Sequence, residues 1–280
     1  MRKKFCIVIP IYKEQPDPVE ILSLSRLKVL VENKNYDIFI LTHKDLNISK
    51  YSQFINEYKI EYFDKYFFQN TATYSQLCFN YDFYNRFSDF NHLFIYQTDC
   101  YLVFDNFEYF ADLDFDYIGS PIFSTDCGWP TLTTDENGKQ KYTPVIGNGG
   151  FSSRKIDTFK YLTEPNGEFW KHSGLTKEII NTLQYEDLFI CVELTKYYKL
   201  NICPLNEAFK FGWDMSVDVI YNFWHITEFP MCIHAWDKNI RFWKDYIPEL
   251  KENQFIVDFC EKKHKEFFKV YYNERNETYR

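Results

Sequence analysis

The chain has 280 residues, of which 21% are aromatic, and its formal net charge is −8. This length is enough for one large α/β domain or two small ones with a substantial core. The acidic balance excludes a nucleic-acid backbone as the main partner, because such proteins carry a basic patch. A small anionic ligand, held through a metal ion or a few local cations, stays compatible with it.

Eight cysteines are spread along the chain without a CxxC pair. Met1-Arg2-Lys3-Lys4 leads straight into an apolar segment that is too short for the core of a signal peptide. No apolar run approaches the ~20 residues that span a bilayer. The pattern predicts reduced, buried thiols in a cytoplasmic protein.

The first third of the chain alternates between strand-like and helix-like segments. Residues 5–11 form a continuous β-branched run typical of a buried parallel strand, which Pro10 ends. A helix is predicted from about Val19, with apolar residues at helical spacing. Further predictions are strand 36–42, helix 49–58, extended segment 60–67, helix 72–87 and strand 92–97. This order is the signature of an open parallel sheet.

The rest of the chain is less regular. We predict a strand at 115–121 that stops at Gly119-Ser120-Pro121, and a long loop at 124–143. Further predictions are a tight glycine-rich turn at 147–150, helix 155–162, loop 163–174, helices 175–182 and 186–198, strand 200–204 and a C-terminal helix 249–272. No linker divides the chain, so a single α/β domain is expected.

The run Gln97-Thr98-Asp99 interrupts an apolar strand-like segment. A carboxylate there is costly to desolvate unless something pairs with it, and ligands of α/β sheets collect beyond the carboxyl ends of strands. Asp99 is therefore a candidate for holding a divalent cation and, through it, a diphosphate. The alternative is an Asp that caps a turn.

Three other places carry candidate chemistry. Glu186 and Asp187 lie in the first turn of a predicted helix, either as capping acids or as a general base for a sugar hydroxyl. His234 follows an apolar run and is either a core histidine or a metal-binding partner of Asp99. Lys238 could neutralise phosphate oxygens or lie on a solvated face. The glycines at 147–150 match neither GxGxxG nor a P-loop, but they permit close backbone approach.

Taken together, these residues resemble the GT-A nucleotide-sugar glycosyltransferases. Residues 5–14 look like the opening strand and loop of that superfamily, "IVIPxYxE". Gln97-Thr98-Asp99 falls at its DxD motif, Glu186-Asp187 at the ED pair of inverting members, and His234 at a late metal-binding histidine. More narrowly, "YQTD", "YIGSP", "GNGGFSSRK", "YEDLFICV" and "IHAW" resemble, in this order, a little-characterised bacterial and fungal branch.

The resemblance implies a GT-A-like (Rossmann-like) twisted, mainly parallel sheet flanked by helices. It implies a hexosyltransferase that moves a sugar from a nucleotide diphosphate donor, UDP-linked, to a sugar hydroxyl of a surface glycan with inversion. Asp187, beside Glu186, would be the base, and Asp99 and His234 would hold Mn²⁺ or Mg²⁺. The donor pocket would comprise Pro10, Tyr12, Glu14, Thr42, Gln97, Thr98, Asp99 and Lys238. The wall between donor and acceptor would comprise Asn148, Gly149 and Gly150.

The same resemblance divides the chain into a donor half at about 1–143, an acceptor and catalytic half at about 144–248, and a C-terminal helix at 249–280. A lipid-linked acceptor would bring the protein to the inner face of a membrane. The basic residues Lys262, Lys263 and Lys265 are then either a peripheral membrane contact or, as we favour, a solvated helix face.

Two positions depart from the superfamily pattern. Gln97 replaces the first Asp of DxD, so Asp99 alone supplies a carboxylate. The second strand ends in residues 41–45, Leu-Thr-His-Lys-Asp, without the usual acids that read uracil and ribose. Gln97 favours the rival interpretation, a non-catalytic glycan-binding or scaffold protein of the same fold. A sugar nucleotidyltransferase is disfavoured, because no glycine-rich basic loop follows the first strand.

Overall fold

The computed structural model describes residues 2–55, 57–123, 132–134, 140–142, 145–175, 179, 183–215, 217, 220–221 and 228–265. The loop predicted at 124–143 and the helix predicted at 175–182 lie largely outside these residues, as does the predicted C-terminal helix beyond residue 265. Within the described part, none of the helices combines the length and hydropathy needed to cross a bilayer. The seven cysteines in this part are free, as predicted.

The strands are β1 (Lys3–Pro10), β2 (Asp37–Thr42), β3 (Lys59–Tyr62), β4 (Phe90–Tyr96), β5 (Tyr101–Leu102), β6 (Tyr117–Ile122), β7 (Leu132–Thr134), β8 (Gln140–Tyr142), β9 (Val145–Lys155), β10 (Gly212–Trp213) and β11 (Cys232–Ile233). Six of them form a central sheet in the order β3-β2-β1-β4-β9-β6. The first four are parallel, and β9 runs antiparallel between β4 and β6. The predicted mainly parallel sheet is therefore confirmed.

The α-helices are α1 (Pro18–Val31), α2 (Thr71–Cys78), α3 (Tyr81–Arg86), α4 (Phe107–Asp112), α5 (Ile156–Thr163), α6 (Glu168–Ser173), α7 (Glu186–Leu188), α8 (Leu205–Phe211), α9 (Ile240–Trp243), α10 (Pro248–Lys251) and α11 (Gln254–Lys263). Two small sheets accompany them, one of order β10-β11-β5 and one that pairs β7 with β8. The predicted flanking of the sheet by helices is confirmed.

Strand β1 is buried on both faces, as its uninterrupted apolar sequence predicts. Ile7 and Ile9 belong to one hydrophobic cluster, whereas Cys6 and Val8 belong to a second cluster. Successive side chains of a strand point to opposite faces, so these two clusters cover the two faces of the sheet. The central sheet is thus the layer between two cores.

Helix α1 begins at a capping box. The Asp17 carboxylate accepts the backbone N–H groups of Val19, at 2.9 Å, and Glu20, at 3.1 Å. The Glu20 carboxylate in turn accepts the Asp17 N–H at 2.9 Å. Pro18 occupies the first turn, where its missing N–H costs no helical hydrogen bond. The predicted helix start is confirmed. Glu20 of the capping box also pairs with Lys13, which lies in the loop that follows β1.

Strand β6 passes through Gly119-Ser120-Pro121, where the sequence predicted a stop. The strand lies at the edge of the sheet, and a proline without an N–H is tolerated there. A Cβ at Gly119 would lie 2.6 Å from the carbonyl oxygen of Asn148 on β9. The glycine therefore permits close approach of two strands.

Strand β9 contains residues 147–150, so the predicted tight turn is wrong. The segment lies in extended backbone, in which Asn148 pairs with Ser120 of β6 and the Gly150 carbonyl oxygen accepts the Gln97 N–H just beyond β4. Local composition favoured a turn, whereas pairing with two neighbouring strands decides the conformation. This placement brings the segment to the functional site described below.

Several predicted helices differ in extent from the observed ones. The helix predicted at 72–87 is split, because the Asn80 side chain caps α3 by accepting the Asp82 N–H at 2.8 Å. The C-terminal helix is likewise split, with α11 capped by Asn253. The predicted helix 49–58 contains only a 3₁₀ turn, Ser49–Tyr51, and a second 3₁₀ turn, Lys65–Phe68, follows β3 within the predicted extended segment 60–67. Helix α6 lies within the predicted loop 163–174, and the predicted helix 186–198 continues after α7 as π-helical Phe189–Glu193 and 3₁₀ Leu194–Lys196. The predicted strand 200–204 is reduced to an isolated bridge at Ile202.

Candidate active site

A cavity of about 450 Å³ opens at the carboxyl ends of β1 and β4. Its lining includes Pro10, Tyr12, Lys13, Asp17, Glu20, Asn70, Thr71, Tyr74, Gln97, Thr98, Asp99 and Lys263. These residues come from the loop after β1, the start of α1, the start of α2, the end of β4 and helix α11. The cavity therefore lies where open α/β sheets bind ligands.

The Gln97-Thr98-Asp99 segment is anchored at two points. The Gln97 N–H donates to the Gly150 carbonyl oxygen at 3.0 Å, which continues the pairing of β4 with β9. The Thr98 hydroxyl donates to the buried Glu20 carboxylate at 2.7 Å. Glu20 also pairs with Lys13 at 2.9 Å. The segment therefore leaves the sheet in a defined direction and presents Asp99 to the cavity.

His234 brings the late part of the chain to this segment. Its Nε2 lies 3.3 Å from Asp99 Oδ1 and 3.2 Å from Gln97 Oε1. Its Nδ1 lies 3.0 Å from Asp214 Oδ1. A carboxylate behind an imidazole fixes the orientation of the ring, so Asp214 holds His234 toward Asp99 and Gln97.

The charges in this cluster stabilise one another. Burial alone raises the pKa of Asp99, but the His234 imidazolium and then Lys238 hold it well below its ordinary value. Burial lowers the pKa of His234, but Asp99 and Asp214 together hold it well above its ordinary value. Asp99 is therefore ionised throughout the physiological range.

His234 Nε2 lies within 3.3 Å of both a carboxylate oxygen of Asp99 and the amide oxygen of Gln97, and it would bind a cation only after losing its proton. Carboxylate and amide oxygens suit Mg²⁺, and imidazole is a ligand of transition metals such as Mn²⁺. Within the described part of the chain, no group of three or more His, Cys, Asp or Glu side chains is arranged to hold a metal ion. A cation here would need the amide oxygen of Gln97.

The two glycines at 149 and 150 allow β9 to approach this cluster and the ED pair closely. A Cβ at Gly150 would overlap the His234 imidazole. A Cβ at Gly149 would lie 2.6 Å from Glu186 Oε1. Close approach, rather than a turn or a positive φ, is thus the reason for these glycines.

Asn148 completes the wall formed by this segment. Its amide nitrogen donates to Asp214 Oδ2 at 3.1 Å, and its amide oxygen accepts the Gly150 N–H at 2.7 Å. One side chain therefore ties the strand backbone to the carboxylate that orients His234.

Asp187 lies on the opposite side of the same strand segment. Its carboxylate accepts the Gly149 N–H at 2.9 Å and the Leu188 N–H at 2.8 Å. Burial, and then the negative charge of Glu186, raises the pKa of Asp187 from its ordinary value of 3.8 to about 7. The side chain is half-buried. A carboxyl group that titrates near neutrality is suited to accept and release a proton.

Glu186 has a different environment from its neighbour. It is buried, it pairs with Arg154 at 2.8 Å, and it accepts the Ser75 hydroxyl at 2.9 Å. Both of its carboxylate oxygens therefore have side-chain partners within the protein. The oxygens of Asp187 accept only backbone N–H groups, and Asp187 is half-buried whereas Glu186 is buried, so Asp187 is the more accessible of the two acids.

Some predicted binding residues lie away from the cavity lining. Glu14 is exposed, and Thr42 is fully buried at the end of β2. Lys238 does not line the cavity, although its charge lowers the pKa of Asp99. Pro10 and Tyr12 line the cavity.

Several charged residues of the site were missed in the sequence. Glu20 could have been found from the Asp17-x-x-Glu20 capping pattern that precedes an apolar run. Asp214, Arg154 and Lys263 carry no comparable signal. Their roles depend on contacts with residues distant in the sequence. Asp214 contacts His234, 20 positions away, Arg154 contacts Glu186, 32 positions away, and Lys263 contacts Asp17, 246 positions away.

The sequence matches the family described as "Protein of unknown function (DUF5672)" over residues 57–234. This is more than half of the chain, which therefore belongs to that family. No curated protein matches the sequence.

Two solved structures share the fold. Mouse xyloside xylosyltransferase 1 is similar with a TM-score of 0.52 and 10% identity, over 82% of this chain and 97% of that one. The galactosyltransferase LgtC, solved with donor and acceptor sugar analogues, is similar with a TM-score of 0.50 and 13% identity, over 81% of this chain and 86% of that one. At these identities the likeness concerns the fold, and it confirms the GT-A-like class.

Proposed function

We propose that this protein is a glycosyltransferase that moves a hexose from a nucleotide diphosphate sugar, UDP-linked, to a sugar hydroxyl of a surface glycan. One observation carries the proposal. Adjacent residues of β9 contact the two candidate groups, since Gly149 binds Asp187 and Gly150 packs against His234. A cation-binding cluster and a carboxyl group that titrates near neutrality would therefore lie on either side of one short segment of β9, on a fold shared with two sugar transferases.

The donor would occupy the cavity at the ends of β1 and β4. Tyr12 is 56% exposed there and offers a ring face for the base. Asp99, Gln97 and His234 would hold Mn²⁺ or Mg²⁺. When bound, such a cation neutralises charge that develops on a leaving diphosphate. Lys13 and Lys263 add positive charge to the same cavity. The donor half predicted at about 1–143 would thus be completed by His234 and α11.

The acceptor would lie on the Asp187 side of β9, in the half predicted at about 144–248. Asp187 would accept the proton of the attacking hydroxyl, while its two backbone hydrogen bonds hold the carboxylate in place. Asn148, Gly149 and Gly150 would separate the two sugars. A direct attack assisted by one base corresponds to inversion at the transferred sugar.

Gln97 supports a second candidate, a non-catalytic glycan-binding protein. An amide at the position of a metal-binding acid reduces the negative charge that attracts a cation. This candidate predicts sugar binding without hydrolysis or transfer of any nucleotide sugar.

A thermal-shift screen of nucleoside diphosphates, with Mn²⁺ or with EDTA, tests the proposal. UDP should raise Tm by mass action, and more so with Mn²⁺. Asp99→Asn should remove the Mn²⁺-dependent part of the shift, whereas Asp245→Asn, an exposed Asp, should retain it. Release of UDP from a panel of UDP-sugars then identifies the donor. No shift with any nucleoside diphosphate at millimolar concentration would favour the glycan-binding alternative.

A further inference from the structure

We propose that Arg154 is the positioning residue of the candidate base: its guanidinium holds Glu186, and Glu186 fixes the turn that presents Asp187. This inference rests on the proposed function, in which Asp187 accepts the proton of the acceptor hydroxyl. Arg154 itself touches no substrate, because it is completely buried near the end of β9.

The guanidinium of Arg154 is held in a single geometry by four contacts. It donates to Glu186 Oε1 at 2.8 Å, to the Tyr84 hydroxyl at 3.1 Å, to the Cys78 carbonyl oxygen at 3.3 Å and to Ser152 Oγ at 3.2 Å. The desolvation of a buried charge is offset only by such pairing. Because its partners are internal, the Arg154 guanidinium is held in one orientation, unlike the cation of a surface ion pair.

Glu186 is fixed at both its side chain and its backbone. Ser75 on α2 donates its hydroxyl hydrogen to Glu186 Oε2 at 2.9 Å and accepts the Glu186 N–H at 3.3 Å. The next residue, Asp187, returns to β9 by accepting the Gly149 N–H. Arg154, Glu186, Asp187 and Gly149 thus form a closed ring that starts and ends on β9.

The ring also determines which charges face Asp187. Glu186, on the same helix, disfavours the ionised form of Asp187, and Arg154 on β9 favours it. The other titratable neighbours are Cys78 on α2, Tyr117 on β6 and Cys191 on the segment after α7. Burial raises the pKa of each of these three groups, so they are neutral near pH 7. Glu186 and Arg154 are therefore the two charges that decide when Asp187 ionises.

Three variants separate the charge of this ring from its geometry. Glu186→Gln keeps an acceptor for Arg154 but removes the like charge, so Asp187 should titrate about one pH unit lower. The double variant Arg154→Met with Glu186→Met removes both members of a buried ion pair, a change that proteins often tolerate. It should also lower the pH at which Asp187 titrates. Arg154→Lys keeps the charge but loses the planar fork, so turnover should fall about tenfold with the titration nearly unchanged.

The titration is read directly from carbon-detected NMR of protein labelled at the Asp carboxyl carbon, with Asp187→Asn identifying the signal. The acid limb of the pH–rate profile for sugar transfer gives a second measurement of the pH at which Asp187 titrates. Glu193→Gln, a matched change on the same segment away from Arg154, should leave both unchanged. An unchanged Asp187 titration in both Glu186→Gln and the double variant overturns the proposal, as does full turnover in Arg154→Lys. If the variants shift the Asp187 titration as expected but the wild-type protein transfers no sugar, the result rejects the proposed function alone.

Discussion

Asp99 and Asp187 are two half-buried carboxylates on opposite sides of residues 148–150, and their environments act in opposite directions. The pKa of Asp99 lies well below its ordinary value, because His234 and Lys238 outweigh the effect of burial. The pKa of Asp187 is raised to about 7, because burial and Glu186 both disfavour its charged form. Paired titratable groups with divergent pKa values assign different roles to chemically identical side chains.

The difference between the two pKa values arises from the positions of the cationic side chains around each carboxylate. On the Asp99 side, His234 contacts Asp99 directly, and Lys13 and Lys263 line the cavity. On the other side, the buried cation Arg154 contacts Glu186 and not Asp187. A permanent anion is suited to hold a cation, and a carboxyl group that titrates near neutrality is suited to move a proton.

The largest expected effect comes from Asp187→Asn. General-base catalysis contributes about 10²–10⁴-fold, so sugar transfer should fall by that factor. Donor binding should be nearly unchanged, because Asp187 lies outside the cavity lining. Initial rates at saturating donor, together with the UDP-induced Tm shift, measure the two effects separately. Equal losses of rate and donor binding would contradict the assignment of distinct roles to the two regions.

A smaller effect is expected from Lys263→Gln. Lys263 Nζ lies 3.3 Å from Asp17 and 3.0 Å from Asp237, and the residue lines the cavity proposed for the donor. Loss of one charge-assisted contact to phosphate should weaken UDP binding about tenfold, while uridine binding changes little.

Lys262→Gln is the matched control for this change, since Lys262 is exposed and does not line the cavity. Calorimetric titration with UDP and with uridine distinguishes the variants. If Lys263→Gln and Lys262→Gln bind UDP equally well, then α11 serves to pack the C-terminal segment and not to bind the donor.

The smallest expected effect is on stability. The pKa of Asp187 is raised in the folded protein, so the group favours folding below its unfolded pKa, and this contribution is lost as pH rises through about 7. From pH 5 to pH 8, wild type should lose about 1 kcal/mol relative to Asp187→Asn, allowing for partial exposure. Thermal unfolding at both pH values measures this difference. A constant difference in Tm would mean that Asp187 titrates near its ordinary pKa.

How much was predictable varies along the chain for physical reasons. Strand β1 and the start of α1 follow from local patterns, namely a continuous apolar run and a capping box. Residues 147–150 were predicted as a turn, because glycines favour turns when only neighbours in sequence are considered. Pairing with β4 and β6 overrides that preference. Gly119-Ser120-Pro121 was misread for the same reason.

The sequence by itself predicted the first four strands along the chain, and it identified Asp99, Asp187 and His234 as candidates that one family resemblance joins. Tertiary structure decided that Asp214 orients His234, that Arg154 pairs with Glu186, and that Lys263 reaches the cavity at the ends of β1 and β4. These contacts join residues that are 20 to 246 positions apart. Hydrophobic periodicity is a local property that specifies elements, whereas charges act through space and acquire their roles only when the chain has folded.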